Sequence, residues 1–256
     1  MTPLCVKDLS YIMAPKNSEV SKFDWKKCRK AVSERYGNEL PASTEMRLIL
    51  MESIRTGVLP PGTRLKEAEL GQALSVSRTP LREALTALKS EHVITTEADG
   101  MRVRTLGWRD ITDLYELRAT LEGMAGRLAA EKAGSSEKAV LQDLCDDEGR
   151  MISKGASPEE LAQHNAIFHA SILCSARNQF LSESLQRLSQ MLALLGATSY
   201  SLPSRIADIQ EEHHTINVAI QAGDGNACEA AMTRHLHQAL KARLKLSSQS
   251  SNSEMD

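Results

Sequence analysis

Between Ile111 and Leu128 the apolar residues Ile111, Leu114, Leu117, Leu121, Met124, Ala125 and Leu128 return mostly at spacings of three and four. On a helix of 3.6 residues per turn that spacing gathers them on one face; on a strand it would scatter them over both. The chain continues in the same manner to residue 246. Further helices are expected over 136–153, 158–174, 178–197, 203–222 and 225–246. They are separated by Gly134-Ser135-Ser136, Gly155-Ala156-Ser157-Pro158, the Ala176-Arg177-Asn178 region, Pro203 and Gly223-Asp224-Gly225. No strand-like run interrupts them, so residues 107–246 are expected to form an all-α antiparallel bundle. Composition agrees: with only 3 Phe, 4 Tyr and 2 Trp, the core falls to Leu, Ala, Ile, Val and Met.

Residues 43–106 follow a different rhythm. Ser43 or Thr44 can cap a helix carrying Met46, Leu48, Ile49, Leu50 and Ile54 that ends near Gly57. Leu59-Pro60-Pro61-Gly62 breaks it, and Leu65–Leu74 reads as a second short helix. Ser77 can cap a third, with Pro80 in the first turn, where a missing N–H costs little. Leu81, Leu85 and Leu88 line its apolar face, leaving Arg78, Thr79 and Arg82 at the exposed leading end. Val93-Ile94-Thr95-Thr96 and Met101-Arg102-Val103-Arg104-Thr105 are β-prone and flank a turn ending at Gly100. Three short helices and a hairpin make a winged helix-turn-helix. Its third helix fits the major groove of duplex DNA, and the wing reaches flanking backbone or minor groove. Ser77, Arg78, Thr79 and Arg82 are the main candidate contacts, completed by Lys66 ahead of them and by Gly100 and Arg102 in the wing. The expected class is thus mainly α, a winged helix-turn-helix followed by a helical bundle.

The ends look like appendages. Residues 1–42, with Pro3, Pro15, Asn17, Gly37, Asn38 and Pro41, read as a flexible extension. Asp24 to Tyr36 can form one short helix with a basic patch at Lys26, Lys27, Arg29 and Lys30. Residues 247–256 read as a disordered polar tail. Charge supports the division: residues 1–106 carry 17 Lys and Arg against 13 Asp and Glu, and residues 107–256 carry 14 against 20. A polyanion is therefore expected to meet the front. No apolar run approaches the roughly 20 residues of a membrane span. The 5 scattered Cys, with no CxxC, fit a reducing cytoplasm better than a disulfide framework. No HExxH, Ser-His-Asp arrangement or Gly-rich phosphate loop suggests an enzyme.

The strings Leu65-Lys66-Glu67-Ala68-Glu69-Leu70 and Val76-Ser77-Arg78-Thr79-Pro80-Leu81-Arg82-Glu83-Ala84-Leu85 resemble the DNA-binding domain of GntR-family bacterial transcription regulators. Tyr115-Glu116-Leu117-Arg118-Ala119-Thr120-Leu121-Glu122 is similar to the first helix of the FCD ligand-sensing domain, which defines the FadR-type subfamily. The resemblance covers about residues 44–245. It implies a homodimeric repressor on double-stranded operator DNA whose bundle binds a small effector. Six bundle helices are nearer the VanR-like branch than the seven-helix FadR-like one.

Asn165 and His169 are four apart on one expected helix; His213 and His235 lie on two later ones. Imidazoles converging from antiparallel helices can hold a divalent metal, although spacing alone equally suits ordinary surface or core histidines. The resemblance implies the metal: many FCD domains use an Asp-x-x-x-His pair and two further His, and these four residues occupy those places. Zinc, nickel and manganese all suit such a set. Asn165 replaces the usual Asp and brings no charge, which should favour direct ligation by an anionic effector. His164, His214 and His237 fall outside the pattern and are expected to be exposed. Arg118 matches the family's effector-binding Arg, where a guanidinium can pair with a carboxylate. A salt bridge to Glu122, its i+4 neighbour, is the other reading. The rivals to a carboxylate-responsive regulator are a metal-only sensor and a metal-dependent enzyme built on the bundle.

Overall fold

Trp25, Cys28 and Val32 recur at three and four, and in the computed structural model of the protein they form the buried face of α1 (Trp25–Tyr36). The structure describes residues 24–196 and 198–252, with side chains to residue 247. The sequence readings of residues 1–23 and 253–256 lie outside the described residues. Asp24 caps α1 through the Lys27 N–H at 3.3 Å, and the helix packs on α2 (Ala42–Arg55). The Arg29 guanidinium donates to the Leu74 carbonyl at 2.9 Å. The flexible extension expected over residues 1–42 is thus corrected for Trp25–Tyr36. The dense Lys and Arg mask an apolar stripe that buries against the neighbouring helix.

After the Pro60-Pro61-Gly62 turn comes a short strand, β1 (Arg64–Leu65), whose Leu65 the sequence pattern assigns to the following helix. That helix, α3 (Glu67–Leu74), ends at Ser75 in the left-handed region, φ 53° and ψ 46°. This forms the tight turn into α4 (Arg78–Ser90). Ser77 takes the N-cap position of α4 in extended backbone, but its hydroxyl accepts no capping hydrogen bond. β2 (Ile94–Glu97) and β3 (Gly100–Val103) form the expected wing. The antiparallel sheet order is β1-β3-β2, with Leu65 opposite Met101 and Glu97 opposite Gly100. Gly100, at φ +128°, closes the two-residue turn in a conformation few other residues accept. Ile49, Leu50, Leu70, Leu81, Leu85 and Leu88 are fully buried beneath these elements; each such side chain stabilises the fold by about 1.5–3 kcal/mol. This unit extends to Thr105.

The second unit begins at Leu106. It contains six helices among the described residues, as expected: α5 (Trp108–Lys132), α6 (Ser135–Ser153), α7 (Pro158–Ser175), α8 (Gln179–Leu192), α9 (Pro203–Ala222) and α10 (Gly225–Asn252). Two short 3₁₀ turns, Ala193–Leu195 and Ser199–Ser201, occupy the α8–α9 connection. The sequence reading had continued α8 through the first of them. Phe168, Ile172, Ile216, Ile220, Met232 and Leu236 build the core.

Two expectations need correction here. The apolar stripe of α5 is buried at Ile111, Leu114 and Ala125, but Leu117 is exposed, and Leu121, Met124 and Leu128 are half-buried in the cluster with α8. The deep face is Ala119, Gly123, Gly126, Ala129 and Ala130, whose small size lets α10 approach closely. A Cβ on Gly123 would stand 2.9 Å from Thr233 Oγ1. The tail read as disordered from Ser247 instead continues α10 to Asn252. Adding residues to an anchored helix avoids the cost of a new nucleus. No helix among the described residues is long and apolar enough to cross a membrane. Cys28, Cys145, Cys174 and Cys228 are free thiols.

Candidate functional site

In the first unit the buried stripe of α4, Leu81, Ala84, Leu85 and Leu88, anchors the helix. That leaves Ser77, Arg78, Thr79 and Arg82 exposed at its leading end. Arg78, Thr79, Arg82 and Thr86 line one shallow surface hollow. Arg78 has no ion pair among the described residues. Arg82 makes only a 3.3 Å contact with Glu67 while remaining 73% exposed, a weak tether. The unpaired N–H groups of the first turn add partial positive charge beside the two guanidiniums.

The remaining candidate contacts are placed differently. Lys66 is exposed and paired with Glu69 at 2.6 Å. Arg102 is largely committed within the protein: Nη2 contacts Asp99 Oδ2 at 2.5 Å, Nη1 donates to the Gly62 carbonyl at 3.1 Å, and Glu97 lies 3.2 Å from Nε. Arg64, facing Arg102 across β1–β3, donates to the Asp99 carbonyl. The sequence reading missed Arg64 because the two-residue strand β1 gives no period-2 signal.

In the second unit α7, α9 and α10 bring His169, His213 and His235 together. Ring centroids lie 5.6 Å apart for His169 and His213, 5.2 Å for His169 and His235, and 4.9 Å for His213 and His235. One nitrogen of each ring lies within 4.8 Å of the other two. Each Nδ1 faces a carboxylate: His169 to Glu122 at 2.7 Å, His213 to Glu148 at 2.8 Å and His235 to Glu212 at 2.8 Å.

Those carboxylates have partners of their own. Arg118 donates Nε and Nη2 to Glu122 at 2.8 Å. The Tyr200 hydroxyl donates to Glu148 at 2.7 Å. Arg205 spans both oxygens of Glu212 at 2.9 Å. Burial alone would raise all three carboxyl pKa values, but Arg118 and His169 at Glu122, His213 and Tyr200 at Glu148, and His235 and Arg205 at Glu212 outweigh it and hold each below the ordinary range. The carboxylates are therefore ionised acceptors, and the imidazole protons sit on Nδ1. Burial lowers His213 and takes His235 down to about 3, so both rings are neutral near pH 7. Their remaining Nε2 atoms are lone-pair donors. Nε2 of His169 and of His213 is buried with no hydrogen-bond partner.

Charge counting adds a second argument. Glu122 and Glu212 each have a guanidinium, whereas Glu148, almost fully buried, is hydrogen-bonded by a phenol and an imidazole, with His164 acting on it electrostatically. No guanidinium thus pairs with this buried carboxylate, which lies beside imidazole nitrogens left without partners. Such a charge is costly unless a cation joins it. The donor set fits a divalent metal.

The other sequence candidates divide. Asn165 is half-buried one turn before His169, and its side chain makes no hydrogen bond among the described residues. Arg118 adopts the Glu122 salt bridge and lies 4.9 Å above the Tyr115 ring. His214 and His237 are exposed as expected. His164 is not: it is half-buried, its two ring nitrogens are sealed from solvent, and it acts electrostatically on Glu148. The roles of Glu148, Tyr200 and Arg205 escaped sequence reading. Their signal was the requirement that a metal-ligating His have an acceptor on its other nitrogen, but no spacing says which acid supplies it.

A winged helix-turn-helix and a separate helical unit with a polar interior define a DNA-binding regulator of the sensing kind. Comparison with known proteins names the family. The family model for "Bacterial regulatory proteins, gntR family" matches residues 43–100, and that for the "FCD domain" matches residues 113–238. The "Probable D-xylose utilization operon transcriptional repressor" of Paenarthrobacter nicotinovorans is 31% identical over 214 residues, covering 83% of this chain and 92% of that protein. The "Nta operon transcriptional regulator" of Aminobacter aminovorans is 36% identical over 181 residues, covering 70% and 83%. The solved structure of E. coli McbR/YncC matches with a TM-score of 0.69 at 25% identity, covering 81% of this chain and 99% of that one. The chain belongs to the gntR family of bacterial transcriptional regulators and carries an FCD effector-binding domain.

Proposed function

We propose that this DNA-binding regulator is a homodimeric repressor that releases its operator when a small organic acid binds a metal-loaded bundle. The observation that carries the reading is the histidine cluster. Three Nδ1 atoms are held by carboxylates, one ring nitrogen of each His lies within 4.8 Å of the other two, and Nε2 of His169 and of His213 is buried without a partner. His169, His213 and His235 would hold the ion, with Asn165 offering an amide oxygen. A bound zinc, nickel or manganese ion would supply Lewis-acid positions for an anionic oxygen.

The chain's own residues then do the sensing. Arg118 is the cation an incoming carboxylate meets, and Glu122 already occupies it, so acid and Glu122 compete for one guanidinium. Because Glu122 also holds His169, that competition bears on the cage. Linkage requires the acid to favour the DNA-incompetent state by the factor with which it weakens operator binding. In the dimer two α4 helices would read half-sites about one helical turn apart. The repressor named among the relatives supports repression.

The test is thermal-shift screening against small carboxylates, with and without divalent metal, followed by operator release. The expected result is metal binding by the wild type, none by His169→Ala/His213→Ala, and release only when an acid is added. Release by metal alone would favour the metal-only sensor, and full metal content in the double variant would remove the cage from the account.

A further inference from the structure

α1 lies outside both matched family segments, 43–100 and 113–238. Its burial of Trp25, Cys28 and Val32 fixes it on the DNA-binding unit. Arg29 anchors it at Leu74, the last residue of α3 and only three residues ahead of Ser77, the N-cap of α4. At about 3.3–3.6 Å per residue, no more than roughly 11 Å of chain separates that anchor from the leading end of the recognition helix. The first turn of α1 holds no acid. Lys26 and Lys27 are exposed and have no ion pair among the described residues. Lys30 meets only Glu34, at 3.6 Å and largely in solvent, a contact of little strength. Lys26 and Lys30 are i,i+4 neighbours and project along one side of the helix.

We propose that α1 is a second DNA-contacting element, in which Lys26, Lys27 and Lys30 bind backbone phosphates just outside the stretch entered by α4. Duplex DNA presents one negative charge per about 1.7 Å of axis, so a cationic strip held this close to the recognition end meets phosphate without needing base contacts. The strip therefore contributes affinity and register, and base choice stays with α4.

The experiment compares the full chain with Lys26→Ala/Lys27→Ala/Lys30→Ala. The probes are a 40-base-pair duplex selected by the wild type from a randomised pool and a mixed-sequence duplex of the same length. Binding is followed by fluorescence anisotropy as salt is raised. Each phosphate contact contributes about 0.9 to the slope of log K against log salt. The triple variant should flatten the slope by one to three such steps per bound protomer on both duplexes, and lose ethylation interference at the outer phosphates. Far-ultraviolet circular dichroism and Trp25 fluorescence should not change, because all three side chains are exposed. A slope no flatter than that of the control Lys154→Ala, with the outer phosphates still protected, would overturn the proposal. That outcome would leave recognition by Arg78 and Arg82 untouched, since Arg78→Ala is expected to erase the preference for the selected duplex.

Discussion

Arg78 and His213 both ride on helices that bury an apolar face, yet Arg78 stands in solvent without an ion pair among the described residues while His213 is almost fully buried and hydrogen-bonded. The contrast extends to their units. On α4 Arg78 has no ion pair among the described residues and Arg82 only a weak, exposed one with Glu67. In the bundle, acids, imidazoles, guanidiniums and a phenol partner one another in three chains: Arg118–Glu122–His169, Tyr200–Glu148–His213 and Arg205–Glu212–His235. A surface cation costs little to leave free, so selection on it is for binding. A buried polar group is expensive unless satisfied, so each member of the bundle's chains carries stability as well as function.

The sharpest way to break this contrast is at Glu148. Glu148→Ala strands both the Tyr200 hydroxyl and the His213 Nδ1–H in the core, at about 1–3 kcal/mol for each unpaired group. The bundle's unfolding free energy should fall by roughly 3 kcal/mol in the metal-free chain, read by urea denaturation. Glu148→Gln keeps one acceptor oxygen and should recover about half. If both variants were neutral, the inward network would not be a stabilising one. The opposite behaviour is expected of Arg78→Ala and Arg82→Ala. Each should weaken operator binding by about 1–3 kcal/mol, or roughly 5- to 150-fold, with stability unchanged within about 0.5 kcal/mol. A loss of stability from either would mean that α4's guanidiniums serve the fold.

The same contrast governs what could be read in advance. Exposed function was legible because local sequence determines it: the turn before Ser77, the stripe Leu81, Leu85 and Leu88, and two Arg at the leading end are all settled within fifteen residues. The cage was half legible. His169, His213 and His235 stood out as a rare residue type on three different helices, but their acceptors come from α5, α6 and α9, where Glu is common and the pairing depends on helix rotation. Local propensity gave the helix α1 but not its packing, because four leading cations obscured Trp25, Cys28 and Val32, and it misjudged the face of α5. There leucine size suggested the core, but alanine and glycine form the tighter contact because close approach to α10 rewards small side chains.

That last point can be sharpened at Gly123. Its replacement by Ala would place a Cβ 2.9 Å from Thr233 Oγ1 on α10. β-Branched Thr has little freedom to turn away. Overpacking of this kind costs about 1–3 kcal/mol, and the better helix propensity of Ala returns up to about 1 kcal/mol. The net loss should be about 1 kcal/mol, with Thr233→Ala in the same chain restoring much of it. A stabilised Gly123→Ala would show that α5 and α10 have room to separate.

The smallest expected effect probes a place where the DNA-binding unit adopts the bundle's habit. Glu52 on α2 is buried, and Arg55 donates Nε to it at 2.9 Å while Arg35 lies 3.9 Å away. Burial raises its carboxyl pKa, but the hydrogen bond and charge of Arg55, with Arg35 behind, outweigh that and leave it below the ordinary value. The unfolded chain binds this proton near pH 4.3. The contribution is therefore complete above that pH and disappears as the pH falls through the lower folded value. Trp25 is buried in the same unit, so its fluorescence in a Trp108→Phe background follows this unit's unfolding. Between pH 6 and pH 3 the urea midpoint should fall further for the parent than for Glu52→Gln, which has no proton to take up. Parallel declines would show that the three side chains neutralise one another without stabilising the fold, and the contrast between the two units would then be complete.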